Sequence, residues 1–139
     1  MTPKFRAWDK KLSVMAKVIS LSFYDEKSVY RNDETESYLF YPSLNSFNLR
    51  PFKDIELMQS TGLKDKNEVE IFEGDIVRCT VDNWSNGEKF EQIDKVVYED
   101  CMFTFSDGYK YDCSIAETTY LSKEVIGNIY ENSDLLEAE

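Results

Sequence analysis

Histidine is absent from this 139-residue chain. That alone removes Ser-His-Asp triads, Cys-His dyads and imidazole metal ligands. Cysteine is scarce, and Cys79, Cys101 and Cys113 lie far apart with no Cys-x-x-Cys pair. Structural zinc usually takes four Cys or His ligands, which leaves no such site within one chain. The odd count also argues against a disulfide framework. Buried thiols acting as small apolar side chains are the better reading. Glycine and proline are not enriched, so nothing suggests collagen-like or low-complexity sequence. Neither a GxGxxG turn nor a Walker A loop is present. No apolar run reaches transmembrane length, and the opening MTPKFRAWDKK lacks the apolar core of a signal peptide. The expectation is a soluble, cytoplasmic protein that needs no cofactor and has no membrane partner.

What the chain does have is aromatic side chains and acid. Phe, Tyr and Trp make up 14% of the residues, and such side chains fit pleated, half-buried surfaces. The net charge is −11, unevenly placed. Residues 1–50 carry eight Lys or Arg against six Asp or Glu, whereas residues 51–139 carry eight against twenty-one. So acidic a surface repels phosphates, which disfavours nucleic acid as a partner. The weakly basic, aromatic N-terminal third leaves single-strand binding open. A net charge far from zero also simply keeps a protein soluble.

Along the chain, residues 4–8 read as a short strand and Asp9-Lys10-Lys11 as a turn. Residues 12–23 alternate in one phase to Val18 and in the other from Ile19, a switch that fits a bulge or a strand covered on both faces. Residues 25–36 are polar and read as a loop, 37–41 as a short aromatic strand, and 43–51 as irregular connection. Further strands are expected at 55–59, 75–81, 90–98, 102–105 and 125–130. DNWSNG at 82–87 reads as a hairpin loop and Ser106-Asp107-Gly108 as a turn. Residues 109–111 are a short strand, 113–120 could form a helical turn, and 133–139 end the chain as a helical turn or a frayed tail.

Two stretches carry conspicuous motifs: TGLKDKNEVEIFEGDIVR at 61–78 and EVIGNIYEN at 124–132. Lys64 to Asn67 form a polar turn between apolar runs. Gly74, inside a strand-type pattern, suggests a bend or bulge, as does Gly127 near the end. Together with Phe5-Arg6-Ala7-Trp8-Asp9, these motifs make the chain resemble the YopX family over about residues 4–136. That family is known from phages and integrated prophages, and its biochemical role is unknown. One residue departs from the pattern: Glu68 stands where the family usually has Gly, so a longer or different turn is expected after Asn67.

The fold class expected is mainly β. Several short strands over the last 80 residues or so suggest a small barrel, although strand count alone leaves an SH3-like barrel, an OB-like barrel and an open meander undivided. The resemblance implies the first, a small SH3-like, partly open barrel over 53–139. A β-hairpin and an aromatic-rich irregular region precede it at 1–52.

No catalytic constellation stands out, and no enzyme is expected. The acids Glu73, Asp75, Asp94 and Asp107 are turn and strand residues, although a carboxylate enzyme with a divalent metal is a reading they would permit. In a regular strand Glu73 and Asp75 would share a face. Trp84, in the polar 82–87 loop, is the candidate partner-binding residue, since exposed tryptophan is common in recognition; the alternative is that it folds back over the barrel mouth. Trp8 reads as core. Tyr24, Tyr30, Tyr38, Phe40 and Tyr41 could cover the barrel or pack on another copy of the chain. The expected function is a non-enzymatic, phage- or prophage-encoded binding or assembly module. Its expected partner is a second copy or a host or phage protein. The alternative is a nucleic-acid-related or DNA-mimic protein acting on a basic partner.

Overall fold

The computed structural model describes residues 4–22, 36–82, 88–99, 101–105 and 120–137. The chain divides into two compact units, Met1–Gln59 and Ser60–Glu139. Both are built of antiparallel strands, so the mainly β expectation holds.

The first unit is a sheet in the order β4-β3-β2-β1-β5. Its strands are β1 (Phe5–Asp9), β2 (Val14–Ser22), β3 (Glu36–Tyr41), β4 (Ser46–Pro51) and the first half of β5 (Ile55–Lys64). Alternation decides which side chains turn inward. On the inner face lies a cluster of Ala7, Ala16, Leu39, Tyr41 and Ile55, with Val14, Val18, Phe52 and Leu57 packed against it. Fully burying a side chain such as Leu39 contributes about 2 kcal/mol. The phase switch in β2 is real: the register with β3 shifts between Val18 and Ser20, which leaves Ile19 as the extra residue, 53% exposed.

Residues 46–51 correct the expectation of irregular connection. They pair in unbroken register with β3, from Tyr41 opposite Ser46 to Glu36 opposite Pro51. The period of two was there in Phe47 and Leu49. Those residues point outward, however, and the inward positions hold Ser46, Asn48 and Arg50, which do not look like core.

The second unit begins within β5, whose 60–64 stretch pairs β6 (Glu70–Phe72). Its main sheet runs β10-β7-β8-β9. These are β7 (Asp75–Asp82), β8 (Lys89–Glu99), β9 (Met102–Phe105) and β10 (Tyr120–Asn128). Among the described residues the sheet is open, with β10 and β9 as its edges, and is not closed into a barrel. Ile71, Val77, Cys79, Val96 and Phe105 form its core, flanked by Leu63, Phe103 and Val125. A 3-10 turn at Ser133–Leu136 follows β10.

Several expectations fall outside the described residues: the 25–35 loop, the 82–87 loop beyond Asp82, the turn at 106–108, the strand at 109–111 and the 113–119 segment. Trp84, Asp107, Cys113, Tyr24 and Tyr30 lie there too. Of the other two cysteines, Cys79 is buried as expected, and burial pushes its thiol up to about 12. Cys101 corrects the expectation: it is exposed, at φ 64 in the tight turn between β8 and β9. Trp8 is half-buried and sits on the outward face of β1, between the inward-facing Ala7 and Asp9.

Candidate functional site

The two conspicuous motifs of the second unit meet in space. The Asp65 carboxylate is 6% exposed and accepts three backbone N–H groups. Oδ1 takes those of Asn67 (2.8 Å) and Val69 (2.9 Å), and Oδ2 takes that of Val125 (2.8 Å). Burial alone would push this carboxyl up. The amides of Val125, Val69 and Asn67 outweigh it and hold the group below its ordinary value. Lys66 N–H adds a bond to Lys123 O at 2.9 Å.

Gly74 makes the second tie. At φ 86 it turns the chain between β6 and β7, a conformation that favours glycine. Its N–H donates to Val96 O (2.8 Å) and its carbonyl accepts Ile129 N–H (2.9 Å). A third arrangement closes β10. Asn128 Oδ1 accepts the N–H groups of Tyr130 (3.0 Å) and Glu131 (2.9 Å), while Asn132 Oδ1 accepts Asn128 N–H (3.2 Å). A Cβ on Gly127 would meet Asn132 Oδ1 at 2.5 Å.

These residues therefore hold the backbone in place. The same holds for two of the acids singled out in the sequence, Asp75 and Asp94. Asp75 is buried, and its Oδ2 accepts Phe72 N–H at 2.8 Å. Asp94 is buried on β8, and its Oδ1 accepts Lys95 N–H at 2.7 Å. Glu73 stands on the other side of the Gly74 turn from Asp75, so the two do not share a strand face as regular alternation would have it. Among the described residues, no group of three His, Cys, Asp or Glu is placed to hold a metal ion.

In the first unit, Asp9 plays the corresponding part. It is fully buried. Its Oδ1 accepts Lys11 N–H (2.9 Å) and Leu12 N–H (3.0 Å). Its Oδ2 accepts the Tyr41 hydroxyl (2.6 Å) and Arg50 Nε (3.0 Å). Burial would raise the Asp9 carboxyl, but bonds from Tyr41, Leu12, Arg50 and Lys11 hold it below its ordinary value. Tyr41 is pushed up to about 12, by burial first and then by its bond to Asp9.

With the polar groups turned inward, the outer face of the same strands carries the apolar ones. Phe40 lies directly opposite Phe47 and Tyr38 opposite Leu49. Their exposures are 37% for Tyr38, 54% for Phe47 and 59% for Leu49, well above core values. The Tyr38 and Phe47 rings stack at 5.6 Å and 19°, and Phe40 and Phe47 lie 4.8 Å apart. Lys17, exposed on β2, stands opposite Phe40. This is the surface in the first unit best suited to contact another molecule. Sequence reasoning noted Tyr38 and Phe40 but missed Phe47 and Leu49. The alternation in SFNLRP was the available signal.

Comparison with known proteins returns one family model, described as YopX protein, which matches residues 4–137. No curated protein matches the chain. Among similar solved structures, two align over nearly their full length. The crystal structure of protein EF1440 from Enterococcus faecalis is 28% identical, with a TM-score of 0.59, covering 98% of this chain and 99% of that one. The X-ray structure of protein yopX from Bacillus subtilis is 24% identical, with a TM-score of 0.63, covering 100% and 99%. The latter likeness bears on fold alone.

Proposed function

We propose, starting from the fact that this chain belongs to the YopX family, that it is a non-enzymatic binding or assembly module. It is encoded by a phage or prophage and works in the cytoplasm of the bacterial host. Its contact surface is the outward face of β3 and β4. One observation carries this reading: Tyr38, Phe40, Phe47 and Leu49 gather on one exposed face, while Asp65 and Asp75 of the motif are taken up with backbone amides. Apolar and aromatic side chains left in water at neighbouring positions are characteristic of contact surfaces.

The test compares immobilised wild type with Phe47→Ser in lysate from lysogenic bacteria. A defined partner held by the wild type and lost by the variant is expected. A partner held equally by both would overturn the reading, as would no partner in any growth phase from a wild type that also stays monomeric.

The charge distribution favours a second reading. Residues 60–139 carry seven Lys or Arg against nineteen Asp or Glu. An acidic surface of this kind can occupy a basic protein in place of DNA. Salt-sensitive binding to a basic partner, with none to DNA, is its signature.

A further inference from the structure

We propose that β4 is the seam of a homodimer, in which two copies pair their β4 strands antiparallel across a twofold axis through Asn48. This rests on the reading of the β3–β4 face as the contact surface, and it names the partner as a second copy.

The argument starts from the strand order. β4 ends the sheet, so among the described residues no strand lies against one of its backbone edges. Half of the N–H and C=O groups of such a strand point away from its neighbour. Edges of this kind are usually guarded by lysine, by a bulge or by proline. β4 has no lysine, and its register with β3 is unbroken. Its one charged side chain, Arg50, is turned inward onto Asp9 at 3.0 Å. Proline stands only at its last position, Pro51.

The strand also suits itself as a partner. Antiparallel pairing about Asn48 sets Phe47 of each copy opposite Leu49 of the other, on one face. Cross-strand pairs of this type are the stabilising unit of a sheet. The two aromatic clusters then become one continuous surface. Tyr38, Phe47 and Leu49 together expose on the order of 300 Å² of apolar side chain. A standard interface buries roughly 800 Å² per partner, more than this strand edge and patch offer, so the dimer is expected to have a dissociation constant in the micromolar range.

Charge points the same way. The chain as a whole is at −11, which opposes self-association through most of its surface. β4 has no acidic residue, so copies meeting there avoid that repulsion. A strongly charged partner would find little to pair with on this patch.

The experiment is light scattering coupled to size exclusion, from low to high micromolar protein. Wild type, Leu49→Lys and Phe47→Glu are compared, with circular dichroism to confirm that each is folded. Wild type is expected at twice the 16.3 kDa chain mass. Each variant should raise the dimer dissociation constant at least tenfold. Mixing the two variants should restore a dimer, because the register sets the new lysine opposite the new glutamate. A monomeric wild type overturns the proposal, as does a dimer that neither variant weakens or a mixture that gains nothing. A monomer that still captures a partner through Phe47 would end the dimer proposal and leave the contact-surface reading standing.

Discussion

The carboxylate of Asp65 accepts the backbone N–H of Val125 at 2.8 Å, across sixty positions of sequence. The same side chain also closes its own five-residue loop through Asn67 and Val69. One buried group thus fixes both a turn and the second half of β10. Asp65→Ala would leave three amides without their acceptor. Each unmade buried bond costs about 1–3 kcal/mol, so a loss of at least about 3 kcal/mol is expected. Asp65→Asn keeps one carbonyl acceptor and should cost less. Urea unfolding gives the size, and faster hydrogen exchange at Val125 would locate the effect.

Glu68 sits at φ 64 in that loop, the position at which a glycine would be unstrained. Glu68→Gly relieves a left-handed conformation worth about 1–2 kcal/mol, against a smaller entropic cost for glycine. A net gain of roughly 0.5–1 kcal/mol is expected. The exposed Lys64–Glu68 pair, at 3.7 Å, subtracts little. Glu68→Ala keeps the Cβ and should show no such gain. Thermal melts of the three chains decide the matter.

Gly127 has no room for a side chain, because Asn132 occupies it. Gly127→Ala should destabilise by about 2 kcal/mol as Asn132 is pushed off Asn128. In an Asn132→Gly background most of that cost should vanish, whereas Asn132→Ala keeps the Cβ that lies 2.8 Å away and should relieve only part of it. A double-mutant cycle by denaturant unfolding measures the coupling. Additive effects would show that the collision is relieved elsewhere.

Stability should fall at both ends of the pH scale, for different reasons. Asp9 and Asp65 are held below the ordinary 3.8. Their contribution is complete above that value and is lost as pH drops through their lowered folded values. Tyr41 is raised from 10.0 to about 12. Its contribution is complete below pH 10 and fades as pH rises toward 12. Melting temperature against pH should show both slopes. Tyr41→Phe should be less stable at neutral pH, should lose the alkaline slope and should flatten the acid one, because Asp9 loses the hydroxyl that does most to hold it down.

Much of this was legible in local pattern. The phase switch at Val18-Ile19 located the β2 bulge, and Gly74 and Gly127 marked real bends, since both depend on neighbours in sequence. Long-range polar ties left no such trace. Nothing near Asp9 announces Arg50 forty-one positions on, and nothing near Asp65 announces Val125. β4 was hidden for a related reason: its inward positions are polar, and Arg50 among them is there for the buried Asp9. The aromatic face followed from that inversion and was hidden with it.

β5 has a practical consequence. Its residues up to Gln59 pair with β1, and from Ser60 onward it pairs with β6. A protease looks for exposed, unpaired chain, and Ser60 is only 7% exposed. Limited digestion should therefore leave the Gln59–Ser60 bond intact. A gene fragment ending there would tear a strand in two, so neither half can be assumed to stand as a separate protein.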